Sequence, residues 1–306
     1  MAEIAITQAA FAGFTVLRRK PWAPLLWSTL YAAVMAALLV VLGGAFVQGV
    51  GRLTRMSQGG AQPPPQAVFE LIGGILGGYL LFLCVFWVLG AVVNMAVVRS
   101  VLAPEASAFG YLRLGARELW LLLANFVLFI LYMLVSLVFS IPVGIITALT
   151  ALNSPSLGAY ISWPIQLVTW IVTIWLGLRF CMVAPMIFTE GRFRLFESWS
   201  FTRGHAWRLF LVGLLVVVAT VAIYVVLLAV GVAFGVPLFQ QLAAATSPQA
   251  FFTEAPAQAF RQLSPLLILY VALIWAGSIV LLPVFFAPWP AAYRQLRGDD
   301  LAATFS

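Results

Sequence analysis

Residues able to make or break bonds are few in this chain. Its 306 residues include one histidine, His205, two cysteines, Cys84 and Cys181, and nine carboxylates. No apolar block holds a HExxH, a Gly-x-Ser-x-Gly, a Cys/His pair or two neighbouring carboxylates. Zinc hydrolysis, nucleophilic acyl transfer and general acid–base work therefore all lack their residue types. Neither an enzyme nor a cofactor is expected. The two cysteines fall inside apolar blocks and read as reduced, buried thiols. No acidic residue stands in mid-span, Glu70 being near an outer end, which disfavours an ion-coupled pump.

One cation stands out. Arg179 lies in Trp175-Leu-Gly-Leu-Arg-Phe-Cys, deep in an apolar block and about ten residues before Glu190. A charge at the bilayer centre costs about 2.5–3.5 kcal/mol on insertion scales. Two readings stand side by side. In one, Arg179 snorkels, helped by a helix that ends early at Pro185. In the other it contacts an anion or a lipid phosphate, or pairs with Glu190, Glu118 or Glu197. Arg192, Arg194 and Arg203, in the connection after that block, and Arg117, in the connection between the second and third blocks, are the other candidate lipid or anion contacts.

The elements that position these residues follow from composition. Hydrophobic residues make up 64% of the chain and charged residues 8%. A water-facing surface, at roughly 25% charged residues, cannot be covered with that. The formal charge of +7 is scattered between apolar blocks without base-stacking aromatics, so nucleic acid is not an expected partner. Six blocks reach the ~20 residues a bilayer requires: roughly 22–48, 67–100, 118–150, 162–189, 208–235 and 264–289. The expected fold is an all-α integral membrane protein of six transmembrane helices. Gly59, Gly60 and Pro63 to Pro65 break the chain in the 49–66 connection, and Pro155 and Gly158 in the 151–160 connection. An interfacial helix is expected within 236–263. The triplet Arg18, Arg19, Lys20 precedes an apolar stretch too long for a cleaved signal and is expected to stay as an anchor.

Fifteen of the 16 basic residues are arginine. Twelve fall on one side: Arg18, Arg19, Lys20, Arg99, Arg113, Arg117, Arg192, Arg194, Arg203, Arg208, Arg294 and Arg297. Only Arg52, Arg55 and Arg261 fall on the other. This bias places both termini in the cytoplasm of a multi-pass protein of the bacterial inner membrane. Trp22, Trp120, Trp163, Trp207 and Trp289 mark span ends at headgroup level.

A threefold repeat is legible, with copies at 1–102, 103–190 and 191–306 of a single membrane domain. Phe11, Phe109 and Phe196 each precede a span-opening tryptophan (Trp22, Trp120, Trp207) by eleven residues. Bulky apolar residues follow each Phe by three, at Phe14, Leu112 and Trp199. Each copy is read as an amphipathic arm on the cytoplasmic leaflet followed by a helical hairpin, the alternative being arms packed on protein. In the first arm Ile6, Ala10, Phe14 and Leu17 share a face. In the second, Pro104 suits a first turn and Phe109, Leu112 and Ala116 line up at helical spacing. Three two-helix repeats are also the plan of mitochondrial carriers, but their Pro-x-Asp/Glu-x-x-Lys/Arg signature is missing.

Between the fourth and fifth spans the chain reads Pro185-Met-Ile-Phe-Thr-Glu190-Gly and then Glu197-Ser198-Trp199-Ser-Phe201-Thr202-Arg-Gly204. This resembles the bacterial YciC-like group and the membrane domain attached to some glycerophosphodiester phosphodiesterases. There a Pro and an acidic residue precede a Ser-Trp-x-Leu-Thr-x-Gly element between two membrane helices. Phe201 stands where Leu is usual, and the specific match covers about 30 residues. The resemblance implies a six-helix membrane protein without the catalytic domain. Physically, Ser198 or Thr202 suits a helix cap or a ligand contact, and Gly204 a turn into the fifth span.

Small residues mark expected helix contacts: Gly73, Gly74, Gly77 and Gly78, then Ser136, Ser140 and Gly144, then Gly231 and Gly235. Their positions suggest a tightly packed outer half and a looser inner half with a cytoplasm-facing groove. The function expected is a non-enzymatic scaffold, accessory subunit or envelope-homeostasis component meeting membrane phospholipids or partner subunits. The alternative is a transporter or channel for a lipid or small amphipathic molecule.

Overall fold

The computed structural model describes residues 5–58, 64–151, 155–245 and 256–305. Every long apolar block becomes a helix, because without water each backbone N–H and C=O must bond within its own segment. The order is α1 (Ile6–Ala10), α2 (Ala12–Arg19), α3 (Trp22–Gln58), α4 (Pro65–Leu102), α5 (Ala116–Ala151), α6 (Pro155–Phe180), α7 (Val183–Glu190), α8 (Glu197–Phe201), α9 (Ala206–Ala245), α10 (Pro256–Phe286) and α11 (Pro288–Phe305). Six stretches among the described residues are long and apolar enough to cross a membrane. The chain is an all-helical, multi-pass membrane protein.

Several boundaries differ from the sequence reading. Helix α6 starts at Pro155, so that proline opens a helix, where its missing N–H costs nothing, instead of ending a loop. Helix α3 runs on to Gln58, and the breaker at Gly59, Gly60 and Pro63 lies outside the described residues. Helices α9 and α10 fill the ends of the 236–263 connection. Whatever remains of the expected interfacial helix, at 246–255, also lies outside the described residues. The break before the 4–5 connection comes at Cys181 and Met182, not at Pro185, which sits in the first turn of α7.

Contacts divide the chain into two compact units that interleave in sequence. The first unit comprises residues 1–12, 94–216 and 286–306. Its core gathers Ala9 and Ala10 of α1, Met182 and Met186 of the α6–α7 turn, Leu209 and Val212 of α9, and Ala292, Tyr293 and Leu296 of α11. The first arm is thus seated on protein through its alanines. Its helix breaks at Phe11, so Ile6 and Ala10 face this core while Phe14, beyond the break, is exposed.

The second arm is not a helix. Residues 108–111 form one 3-10 turn in which Phe109, Gly110 and Tyr111 all have positive φ (50°, 63° and 66°). Left-handed backbone is strained for Phe and Tyr and persists only where the surroundings fix it. What fixes it is Arg99, buried on α4. Its Nη1 donates to the Tyr111 carbonyl and its Nη2 to Glu118 Oε1, at 2.5 Å, in the first turn of α5. The Tyr111 hydroxyl in turn donates to Pro104 O at 2.9 Å. Arg99, counted above as a topology charge, is a buried structural ion.

The second unit comprises residues 13–93 and 217–285. Here α2 meets the end of α10 at Gly13, where a Cβ would lie 2.5 Å from Pro283 O and Val284 Cα. Trp275 Nε1 donates to Thr29 Oγ1 at 3.1 Å, joining α10 to α3.

The small-residue pattern marks only some of the observed contacts. Buried side chains concentrate in the first unit, which holds most of the arginine-bearing connections. Gly73, Gly74, Gly77 and Gly144 face open space, and Ser136 and Ser140 are exposed. Gly78 meets Leu42, Gly231 meets Leu273 and Gly235 meets Leu269. Most of these small residues therefore do not mark close helix contacts, since bulky Leu, Met and Tyr side chains close a core as readily as glycines do.

Candidate functional site

Arg179 occupies the last turn of α6, which stops one residue later. A helix end leaves its final carbonyls without intrahelical donors. Two side chains of the motif segment answer for the one at Arg179. Ser198 Oγ donates to Arg179 O at 2.8 Å, and Thr202 Oγ1 lies 3.5 Å from the same oxygen and 3.2 Å from Trp199 O. Both hydroxyls belong to fully buried residues. Ser198 and Thr202 are thus caps, as the sequence allowed, but of the C-terminus of α6 rather than of their own helix, α8. A neutral hydrogen bond of this kind contributes about 1 kcal/mol.

The cap brings Trp199 over the arginine. Its ring meets Trp175, one turn before Arg179 on α6, edge to face at 4.8 Å and 89°, and Phe180 at 5.8 Å. Arg179 Cζ lies 5.5 Å from the centroids of both Trp175 and Trp199. Indole faces attract a cation, by ~2 kcal/mol or more where water is excluded. They accept no conventional hydrogen bond, however. Arg179 Nε and Nη1 are shielded from solvent and have no acceptor among the described residues.

The three carboxylates considered as partners for Arg179 are engaged elsewhere. Glu118 holds Arg99. Glu190 lies 2.7 Å from Arg194 Nε and 3.4 Å from Arg192, and Glu197 lies 2.8 Å from Arg194 Nη1. The 2.7 Å contact is an ion pair by distance but is too bent for a hydrogen bond. The Glu197 carboxyl is held below the usual carboxylate range by a backbone hydrogen bond and by Arg194. Arg194 is held above its usual value, first by its hydrogen bond to Glu197.

The structure therefore gathers Arg179, Ser198, Trp199 and Thr202 into one cage, with Glu190, Arg192 and Arg194 forming an ion network in the adjoining connection. Pro185 is buried in α7, and Gly191 and Gly204, at φ of 71° and 83°, close turns that a Cβ would strain. Arg117 is not part of the cage, its guanidinium lying 4.9 Å from the Phe188 ring, and Arg203 is exposed. Sequence reading missed the role of Trp175, although its i, i+4 spacing to Arg179 was the available signal.

A planar guanidinium with unpaired N–H groups and desolvated surroundings suits a phosphate or carboxylate oxygen. Comparison of the chain with protein families, with curated proteins and with solved structures gives no match.

Proposed function

We propose that the chain is a non-enzymatic component of the bacterial cytoplasmic membrane that engages an anionic phospholipid through Arg179. In this reading it serves as a scaffold or accessory subunit in envelope homeostasis. Both termini are cytoplasmic, by the bias of twelve basic residues to three. The observation that carries the reading is the Arg179 cage: two indoles hold the cation and leave two shielded N–H groups without an acceptor among the described residues. Buried donors are nearly always paired, so an oxygen from outside the chain is the natural complement. Exposed Arg117, Arg192 and Arg203 add favourable potential for an anionic leaflet. The YciC-like resemblance supports a multi-pass membrane component.

The test is native mass spectrometry of the full chain released from membranes containing phosphatidylglycerol. The wild type is expected to retain that lipid and Arg179→Ala to retain about tenfold less, with Arg179→Lys intermediate. Equal retention in wild type and Arg179→Ala would overturn the reading. Co-purifying membrane subunits would favour the accessory role.

A second reading, transport of a lipid or small amphipathic molecule, is favoured by a cavity of about 770 Å³ inside the second unit.

A further inference from the structure

The cavity of the second unit lies between α3, α4, α9 and α10, within membrane-spanning segments. Its volume of about 770 Å³ falls inside the roughly 300–1,000 Å³ range of small-molecule sites. The walls are leucine, isoleucine, methionine and phenylalanine, opened by glycines such as Gly231 and Gly277. Among the described residues, not one Asp, Glu, Lys, Arg or His lines it. Its polar groups are the hydroxyls of Tyr31, Tyr224, Tyr270 and Ser278.

Those hydroxyls are the informative part. Ser278 Oγ already donates to Trp275 O at 2.9 Å within its own helix. The tyrosines come from three different helices, α3, α9 and α10, and all three line the one cavity. None of the three forms a hydrogen bond with a described residue. Tyr224 and Tyr270 are 57% and 56% exposed, so their hydroxyls are accessible to an entering molecule, and within a bilayer a tyrosine hydroxyl normally finds a partner. Three at one cavity are a polar handle without a protein counterpart.

We infer that this cavity binds one long-chain lipid with an uncharged oxygen function, a hydroxyl or a carbonyl. Its hydrocarbon lies along the leucine walls and its oxygen meets Tyr31, Tyr224 and Tyr270. A charged headgroup is disfavoured because no counter-ion waits for it and desolvation in an apolar site is costly. A pure alkane would leave the tyrosines unpaired. The inference deepens the second reading above by naming the class of molecule. Failure of the two is separable, since this one concerns binding and that one movement between leaflets. It is independent of Arg179.

The test uses the full chain in phosphatidylcholine nanodiscs with a diazirine-bearing hexadecanol as photoprobe. Label is expected on the α9 and α10 peptides holding Gly231 and Gly277. Hexadecanol should compete about tenfold better than hexadecane, the worth of one net hydrogen bond, and hexadecanoate should compete poorly. A long-chain methyl ketone competing as well as hexadecanol would assign carbonyl lipids to the same site. The Tyr31→Phe, Tyr224→Phe, Tyr270→Phe triple variant keeps every ring and should lose the preference for alcohol over alkane. Tyr79→Phe, on α4 and outside this cavity, should keep it. Label spread evenly over lipid-facing helices, or a triple variant indistinguishable from wild type, would overturn the proposal. So would hexadecanoate competing best.

Discussion

Removing the carboxylate of Glu118 leaves the Arg99 guanidinium buried and uncompensated. Both side chains are 5% exposed, and they meet at 2.5 Å. Breaking such a pair from one side typically costs about 3–5 kcal/mol, because the remaining charge is stranded away from water. Arg99 keeps two other contacts: its bond to the Tyr111 carbonyl and the Phe188 ring at 5.8 Å. The Glu118→Ala loss is therefore expected at the lower end, about 3 kcal/mol. Glu118→Gln retains an acceptor and should cost roughly 1–3 kcal/mol. Arg99→Met strands the carboxylate instead and also frees the Tyr111 carbonyl, so it should cost more than Glu118→Ala. The double variant Arg99→Met, Glu118→Leu removes both charges. It should recover part of the loss, with a coupling energy of at least about 1.5 kcal/mol in a double-mutant cycle. Reversible unfolding of the purified chain in mixed micelles by a graded denaturing detergent reads these differences. A Glu118→Ala loss below about 0.5 kcal/mol, or strictly additive single effects, would refute the view that this pair holds the left-handed 109–111 turn.

Two further outcomes follow from positions already described. Gly13→Ala places a methyl against backbone atoms of Pro283 and Val284, which cannot swing aside, so it should cost about 1–3 kcal/mol and lower the thermal midpoint. An unchanged midpoint would mean that α2 does not seat on α10 there. Glu197 has a folded pKa below its unfolded value, so its stabilisation is fully present above the ordinary carboxylate range and is lost as pH falls through the folded value. Glu197→Gln should flatten that part of the stability profile, and a variant profile identical to wild type down to pH ~3 would dismiss the Arg194 bond as a stabilising contact.

The six spans were legible because each is a run of apolar residues with nothing but lipid to satisfy. The motif was legible as a pattern, but its role was not. Ser198 and Thr202 cap a carbonyl 19 and 23 residues away, and no local spacing points across that distance. Arg99 and Glu118 were hidden for a similar reason, being separated by a loop whose left-handed turn depends on their pairing. Phe109, Leu112 and Ala116 carry a helical spacing, and the Arg99 hydrogen bond overrides it at Tyr111. The glycine stripes misled because small size permits close approach without requiring it. At Gly73, Gly74 and Gly77 nothing approaches, while Gly13, outside any stripe, is the position where backbone meets backbone.

The cage also has a consequence in time. Arg179 leaves the ribosome before the residues that cover it, since Ser198 follows 19 positions later. At about 5–20 residues per second, that is a delay of roughly 1–4 s. During this interval only Trp175 accompanies the charge. Full insertion of α6 is then opposed by up to about 2.5–3.5 kcal/mol. The end of α6 is held near a membrane surface, within reach of the emerging Ser-Trp segment, so the order of synthesis itself favours the pairing that the finished protein keeps.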